Sequence, residues 1–183
     1  MTEVIRLTLV SHAMTDAMAA GRFPVDEPLN RIGRRQVKAA ARLDINSGIR
    51  QLAGPEERAR QTAQLLGLHA TTEPRLADLG CGAWCGQTLQ ALGPADLEMW
   101  VSDPARAPHG GESIVDLIER VAGWLESLTH STSPTVAVTH PAVIRAAILG
   151  ALEMSPKSFW RIDVAPVSRT VMHFRKGCWT LRL

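Results

Sequence analysis

The stretch TVAVTHPAVIRAAILGAL, residues 135–152, changes periodicity once, and that change decides the fold. Its first part, TVAVTH, is a short run of β-branched and apolar residues, the pattern of a strand covered on both faces. Its second part starts at Pro141, which suits a first helical turn because the missing N–H would have no intrahelical partner there. The alanines, isoleucines and leucines that follow predict a helix over 141–152. A buried strand running directly into a helix is half of a β-α-β unit. The N-terminal stretch RLTLVSHAMTD, residues 6–16, begins in the same way: Leu7, Leu9 and Val10 suit a buried strand that stops at Ser11 and His12.

The rest of the chain continues the alternation. LNRIGRRQVKAAARL (29–43) reads as a helix with Ile32, Val37, Ala40 and Leu43 near one side and basic residues on the other. GIRQLAG (48–54) reads as a second strand, and PEERARQTAQLLG (55–67) as a helix that Pro55 starts and Gly67 stops. After a glycine-rich irregular stretch comes a short helix around 95–101. SIVDLIERVAGWLESL (113–128) is the longest helix, with Ser113 as cap, Asp116 as its capping-box partner, and Leu117, Val121, Trp124 and Leu128 facing the core. The tail TVMHFRKGCWTLRL reads as two strands joined at Lys176-Gly177. These elements predict an α/β three-layer sandwich: a mostly parallel central sheet, helices on both faces, and an antiparallel hairpin at one edge. Without repeats or a linker, the expectation is one domain over 1–183.

Composition narrows the function. A chain of 183 residues, 45% hydrophobic and 21% charged, is an ordinary globular protein. A net charge of +2 without a Lys/Arg run argues against a nucleic-acid partner. No apolar run reaches the ~20 residues that span a bilayer, so no membrane partner is expected. Cys81, Cys85 and Cys178 are an odd count in a chain whose first ten residues lack a secretory pattern, which predicts a reducing, cytoplasmic setting. CGAWCG (81–86) lacks the two further ligands a zinc site needs, so its cysteines read as unpaired loop thiols and no metal is expected.

Three predicted strand-to-helix junctions carry polar residues. His12 follows the first strand, Arg58 lies in the first turn after the second, and His140 precedes Pro141. Ligands of open α/β sheets bind beyond the carboxyl ends of the strands, so neighbouring strands would bring all three into one pocket. A cation in the first turn opposes the helix dipole by ~0.3–1 kcal/mol. Glu56 and Glu57 offset part of that, but a bound anion resolves it better, since helix N-terminal N–H groups and a guanidinium both suit phosphate. One neutral imidazole can attack phosphorus while another donates hydrogen bonds to its oxygens. The plainer alternative is a pair of hydrogen-bonded structural histidines and a surface ion pair.

The ordered motifs LTLVSHAMT, DEPLNRIGRRQ, GPEERARQTA, RLADLGCGAWCG, HGGES and VAVTHPAVIR resemble the histidine phosphatase superfamily, phosphoglycerate mutase-like branch. The resemblance implies that His12 is the phosphate-accepting nucleophile, that Arg58 binds the phosphoryl group and that His140 is the second pocket histidine. It places Asp78 where many members have the glutamate that protonates the leaving group, and Glu112 at an acidic position on the rim; Glu112 also suits a helix start on dipole grounds. The chain departs from the pattern at Ser11, where the family has arginine, and at Ala13, where it has glycine. Cys85 replaces a glutamate after Trp84, and Asp78 is one methylene short of glutamate. Ser11 would then contribute a hydroxyl to the phosphate site without the arginine's charge, and Arg22, Arg34 or Arg145 would be left to supply it, Arg145 being expected on the helix surface. The implied function is a phosphomonoesterase acting through a phosphohistidine on a small-molecule phosphate ester, without cofactor. The alternatives are a phosphoglycerate mutase-type phosphotransferase and, favoured by Ser11, a phosphate-ligand or protein-binding module of the same fold without turnover.

Overall fold

The computed structural model describes residues 4–40, 43 and 45–182. Its elements, in chain order, are β1 (Ile5–Ser11), α1 (Asp16–Ala19), α2 (Arg31–Ala39), β2 (Arg50–Ala53), α3 (Glu57–Leu65), β3 (Thr71–Thr72), α4 (Pro94–Ser102), α5 (Ile114–Leu128), β4 (Thr135–Thr139), α6 (Pro141–Ala151), β5 (Arg169–Arg175) and β6 (Cys178–Arg182). The six strands form one sheet in the order β3-β2-β4-β1-β5-β6. The first four are mutually parallel; β5 runs antiparallel to β1, and β6 antiparallel to β5. This is the expected α/β architecture, mostly parallel with an antiparallel edge pair.

Alternation along the central strands explains the layers. Leu7 and Leu9 of β1 and Ala137 of β4 pack with α5 and α6, while Val10, Val136 and Val138 point to the opposite face and meet Ala59 and Ala63 of α3. Leu117, Val121, Trp124 and Leu128 of α5 are all buried in the first of these cores. Ser113 caps α5 through the full capping box with Asp116.

Two readings change. The helix expected over 29–43 is shorter, with Asn30 as its cap, and Ile32 is 55% exposed whereas Val37 is buried. Residues 41 and 42 of that expected helix lie outside the described residues. The cause of the narrow buried stripe is Gly33, where a Cβ would sit 2.2 Å from the Met14 carbonyl oxygen. The helix is therefore seated on the loop after β1 through its glycine, and the flanking isoleucine is turned outward. The second change is two short elements, α1 and β3, that the periodicity of so few residues did not signal.

Candidate active site

The order β2-β4-β1 places the carboxyl ends of three parallel strands side by side, and a cleft of about 380 Å³ opens there. His12 follows β1 directly and His140 follows β4 directly; Arg58 lies in the first turn of α3, after β2. The two imidazoles pack edge to face with centroids 5.1 Å apart. Thus His12, Arg58 and His140, distant in sequence, are brought together, but only His12 and Arg58 line the cleft, and His140 is fully buried behind them.

The His12 loop is fixed by polar residues of α2 and α3. The Ala13 N–H donates to Thr62 Oγ1 at 3.1 Å, and Thr62 in turn donates to the Arg58 carbonyl at 2.7 Å. The Met14 N–H donates to Gln36 Oε1, and the Asn30 N–H to the Met14 carbonyl. His12 Nδ1 lies 2.8 Å from the Ala13 carbonyl. A carbonyl only accepts, so Nδ1 carries the proton and Nε2 keeps its lone pair. Burial, followed by the neighbouring His140, pushes the His12 pKa down to about 3. The imidazole is therefore neutral across the neutral range.

Arg58 is 2% exposed; its Nη1 donates to the Val25 carbonyl at 2.8 Å and its Nη2 to Asp78 Oδ2 at 2.7 Å. Its Nε is buried without a partner, as is His140 Nδ1, which lies 3.4 Å from Asp78 Oδ2. The unpaired Arg58 Nε–H beside a neutral His12 suits an oxyanion that completes its bonding. Burial acts to raise the Asp78 pKa, but the charges of His140 and Arg58 outweigh it and hold the carboxyl at about 2.

Glu56 is the residue the sequence reading missed. It was legible only as an acidic complement to the start of α3, and it is indeed the N-cap residue, yet its side chain makes no capping bond. Instead Oε2 accepts from His140 Nε2 at 2.7 Å, and Oε1 accepts from the Asp78 N–H at 2.9 Å. Burial opposes ionisation of Glu56, but the bond and charge of His140 hold its pKa below the usual value. His140 is thus held between two carboxylates, with Nε2 donating to Glu56 and Nδ1 facing Asp78. Gly54 makes room for this pair: a Cβ there would lie 3.0 Å from His140 Nε2 and 3.3 Å from Glu56 Oε2.

The other expected site residues lie elsewhere. Ser11 is fully buried at the end of β1, paired in register with Thr139, and is absent from the cleft lining; its hydroxyl donates to the His12 carbonyl at 3.5 Å. Glu112 is also off the lining and is held by Arg120 through two bonds of 2.7 Å. Arg120 further donates to the carbonyls of Arg75, Ala77 and Asp78, so the pair clamps the segment that carries Asp78. Arg22 lines the cleft, whereas exposed Arg34 does not. The expectation that Arg145 sits on the helix surface is corrected: it is half-buried, lines the cleft, and donates from Nε to the Ile162 carbonyl at 2.7 Å. It is drawn inward by the rings of Phe159 and Trp160, which give the guanidinium faces to lie over.

The family signature of the histidine phosphatase superfamily, branch 1, matches residues 7–183, which spans every strand but the first two residues of β1. The chain belongs to the histidine phosphatase superfamily. Among its relatives, phosphoserine phosphatase 1 of Hydrogenobacter thermophilus is 26% identical over 186 residues, covering 94% of this chain and 88% of the relative. A glucosyl-3-phosphoglycerate phosphatase of Mycolicibacterium vanbaalenii is 31% identical over 178 residues, covering 87% and 79%. The solved structure of a mycobacterial glucosyl-3-phosphoglycerate phosphatase with VO3 superposes with a TM-score of 0.84 at 27% identity, covering 98% of each chain. Among the described residues of this histidine phosphatase no helix is long and apolar enough to cross a membrane, and no cluster of three or more His, Cys, Asp or Glu is placed to hold a metal ion.

Proposed function

We propose that the protein is a phosphomonoesterase that works in two steps through a phosphohistidine on His12. The observation that carries this reading is the His12 tautomer: with Nδ1–H held by the Ala13 carbonyl, the free lone pair is on Nε2, beside Arg58 and His140. In the first step His12 Nε2 forms a bond to phosphorus as the ester P–O bond breaks, and the departing oxygen takes a proton from Asp78. In the second, water attacks the phosphohistidine, gives a proton to Asp78 and releases phosphate as the P–N bond breaks. Arg58 holds the equatorial oxygens, and His140, fully buried behind the cleft, keeps Glu56 and Asp78 in place.

Asp78 is ionised in the unliganded site, and substrate changes that. A phosphoryl dianion competes for Arg58 and brings negative charge next to the carboxylate, and both effects favour its protonation. Glu112, tied twice to Arg120, is the poorer proton donor and acts instead by positioning the Asp78 segment. The relatives named above are phosphatases of phosphoserine and glucosyl-3-phosphoglycerate, which supports a small phosphate ester as substrate class. Incubation with a radiolabelled aryl phosphate, quenched in alkali, should yield a base-stable and acid-labile phosphoprotein with release of the alcohol. Binding of the ester with no release would favour the non-turnover module that the buried Ser11 suggests.

Glu56 gives a separate expectation. Glu56→Gln removes the anionic acceptor from His140 Nε2, and a charge-assisted hydrogen bond of about 1.5 kcal/mol or more corresponds to roughly a tenfold fall in kcat. The 15N shift of His140 Nε2 should move in the variant as its anionic hydrogen-bond partner is lost. An unchanged rate with an unchanged shift would make the pair structural only.

A further inference from the structure

The phosphoryl chemistry uses only the polar corner of the cleft. The remaining wall includes Met18, Phe23, Leu79, Trp100, Phe159 and Trp160. Its rings form a continuous run: Phe23 and Trp100 have centroids 5.4 Å apart, Trp100 and Trp160 4.4 Å, Phe159 and Trp160 4.9 Å. Arg145, which also lines this side, has its guanidinium carbon 5.6 Å from the Phe159 centroid and 5.9 Å from that of Trp160, with Nε spent on the Ile162 carbonyl. Its charge lies against ring faces rather than alone in the cleft. Trp100 is 8% exposed, and its indole N–H is buried without an acceptor.

We propose that the preferred substrate is a phosphomonoester whose alcohol half is an extended or flat apolar body, alkyl or aryl, and that this half packs on the wall formed by Phe23, Trp100 and Trp160. A small charged hydroxy-acid ester would leave the exposed edges of this wall uncovered and would gain little from it. An apolar alcohol of several carbons removes both surfaces from water while its phosphate reaches His12 and Arg58. The wall is continuous with the phosphate corner, since one cleft holds both. This inference rests on the phosphomonoesterase reading.

The test is a series of linear alkyl phosphates from ethyl to octyl, whose leaving-group acidity is nearly constant, so that chain length changes binding and not chemistry. We expect kcat/KM to rise about two- to fourfold per methylene until the wall is filled, fourfold being the limit for a fully buried CH₂. Hexyl phosphate should exceed O-phosphoserine and 3-phosphoglycerate, and Trp160→Ala should flatten the slope. A flat or falling series, or a preference for the hydroxy-acid esters, overturns the proposal. If no ester is hydrolysed, the phosphomonoesterase reading has failed, and calorimetry with the matching alkylphosphonates reads the apolar preference without turnover. A Kd that tightens with each methylene supports the wall as an apolar-ligand site; a Kd independent of length, or no binding at all, overturns it.

Discussion

His12→Ala should abolish phosphoenzyme formation and lower kcat by about 10⁴-fold or more, the scale of losing a covalent nucleophile from a constellation that acts as a unit. Within the cleft, His12 is the imidazole whose protonated nitrogen is tied to a backbone carbonyl, and no second imidazole is held in the same way, since His140 Nε2 is engaged by Glu56. The variant should still fold, because the loop around His12 is secured by Thr62, Gln36 and Asn30 rather than by the imidazole alone. Folding stability supplies a second readout. The folded pKa of about 3 lies below the unfolded value of 6.5, so on acidification the unfolded chain binds a proton that the folded chain refuses. His12 therefore withholds nothing from stability above about pH 6.5 and costs progressively more as pH falls toward 3. Denaturant unfolding at a series of pH values should show a shallower loss of stability in His12→Ala than in wild type. Turnover near the wild-type rate in this variant would remove His12 as the nucleophile, and equal acid sensitivity would mean that the imidazole is not held neutral.

The parts of this site that could be read from the sequence are those set by the chain locally. The strand-to-helix change at His140 and Pro141 needs only a period change and a proline with no N–H to satisfy, and both are local. The same holds for the end of β1 at Ser11 and for the capping box of Ser113 and Asp116. The sheet order, which makes three junctions one site, was not legible: the junction argument required the strands to be neighbours, and the order β2-β4-β1 meets that condition. What escaped were contacts between segments. Glu56 looks like any acidic residue at a helix start until Gly54, two residues before it, is seen to open the path to His140, 84 residues away. Arg145 falls on a helix whose pattern is largely apolar, and only the rings of Phe159 and Trp160 explain why it turns toward the cleft. Ser11 was expected to touch phosphate because of the residue it replaces; a short side chain at the end of a buried strand reaches only its own backbone neighbour.

On the proposed mechanism Arg58 carries the phosphate-binding charge, and Arg58→Ala should lower kcat/KM by roughly 10³–10⁵-fold, the range for removing a guanidinium that stabilises a transferring phosphoryl group. Part of the effect should be recovered in Arg58→Lys, but not all, because an ammonium cannot reproduce the fork that reaches Val25 and Asp78 together. The substitution also has a structural consequence that separates it from His12→Ala. Asp78 keeps its low pKa against the opposing effect of burial partly because Arg58 lies 2.7 Å away. Removing that cation leaves a largely buried carboxylate without its ion-pair partner, a loss on the order of 3 kcal/mol at neutral pH. The sign of the pH dependence follows. A carboxylate with a depressed folded pKa stabilises the fold above its unfolded value of 3.8 and loses that contribution as pH falls through about 2. Wild type and Arg58→Ala should therefore differ most in unfolding free energy near neutrality and converge as pH drops below about 4, where Asp78 takes up its proton in the variant first. Should the stability gap instead stay constant down to acid pH, the Arg58–Asp78 bond would not be its source. Should kcat/KM fall by less than tenfold, the phosphoryl group would be held by another cation of the cleft, and Arg145 and Arg22, which line it, would be the ones to substitute next.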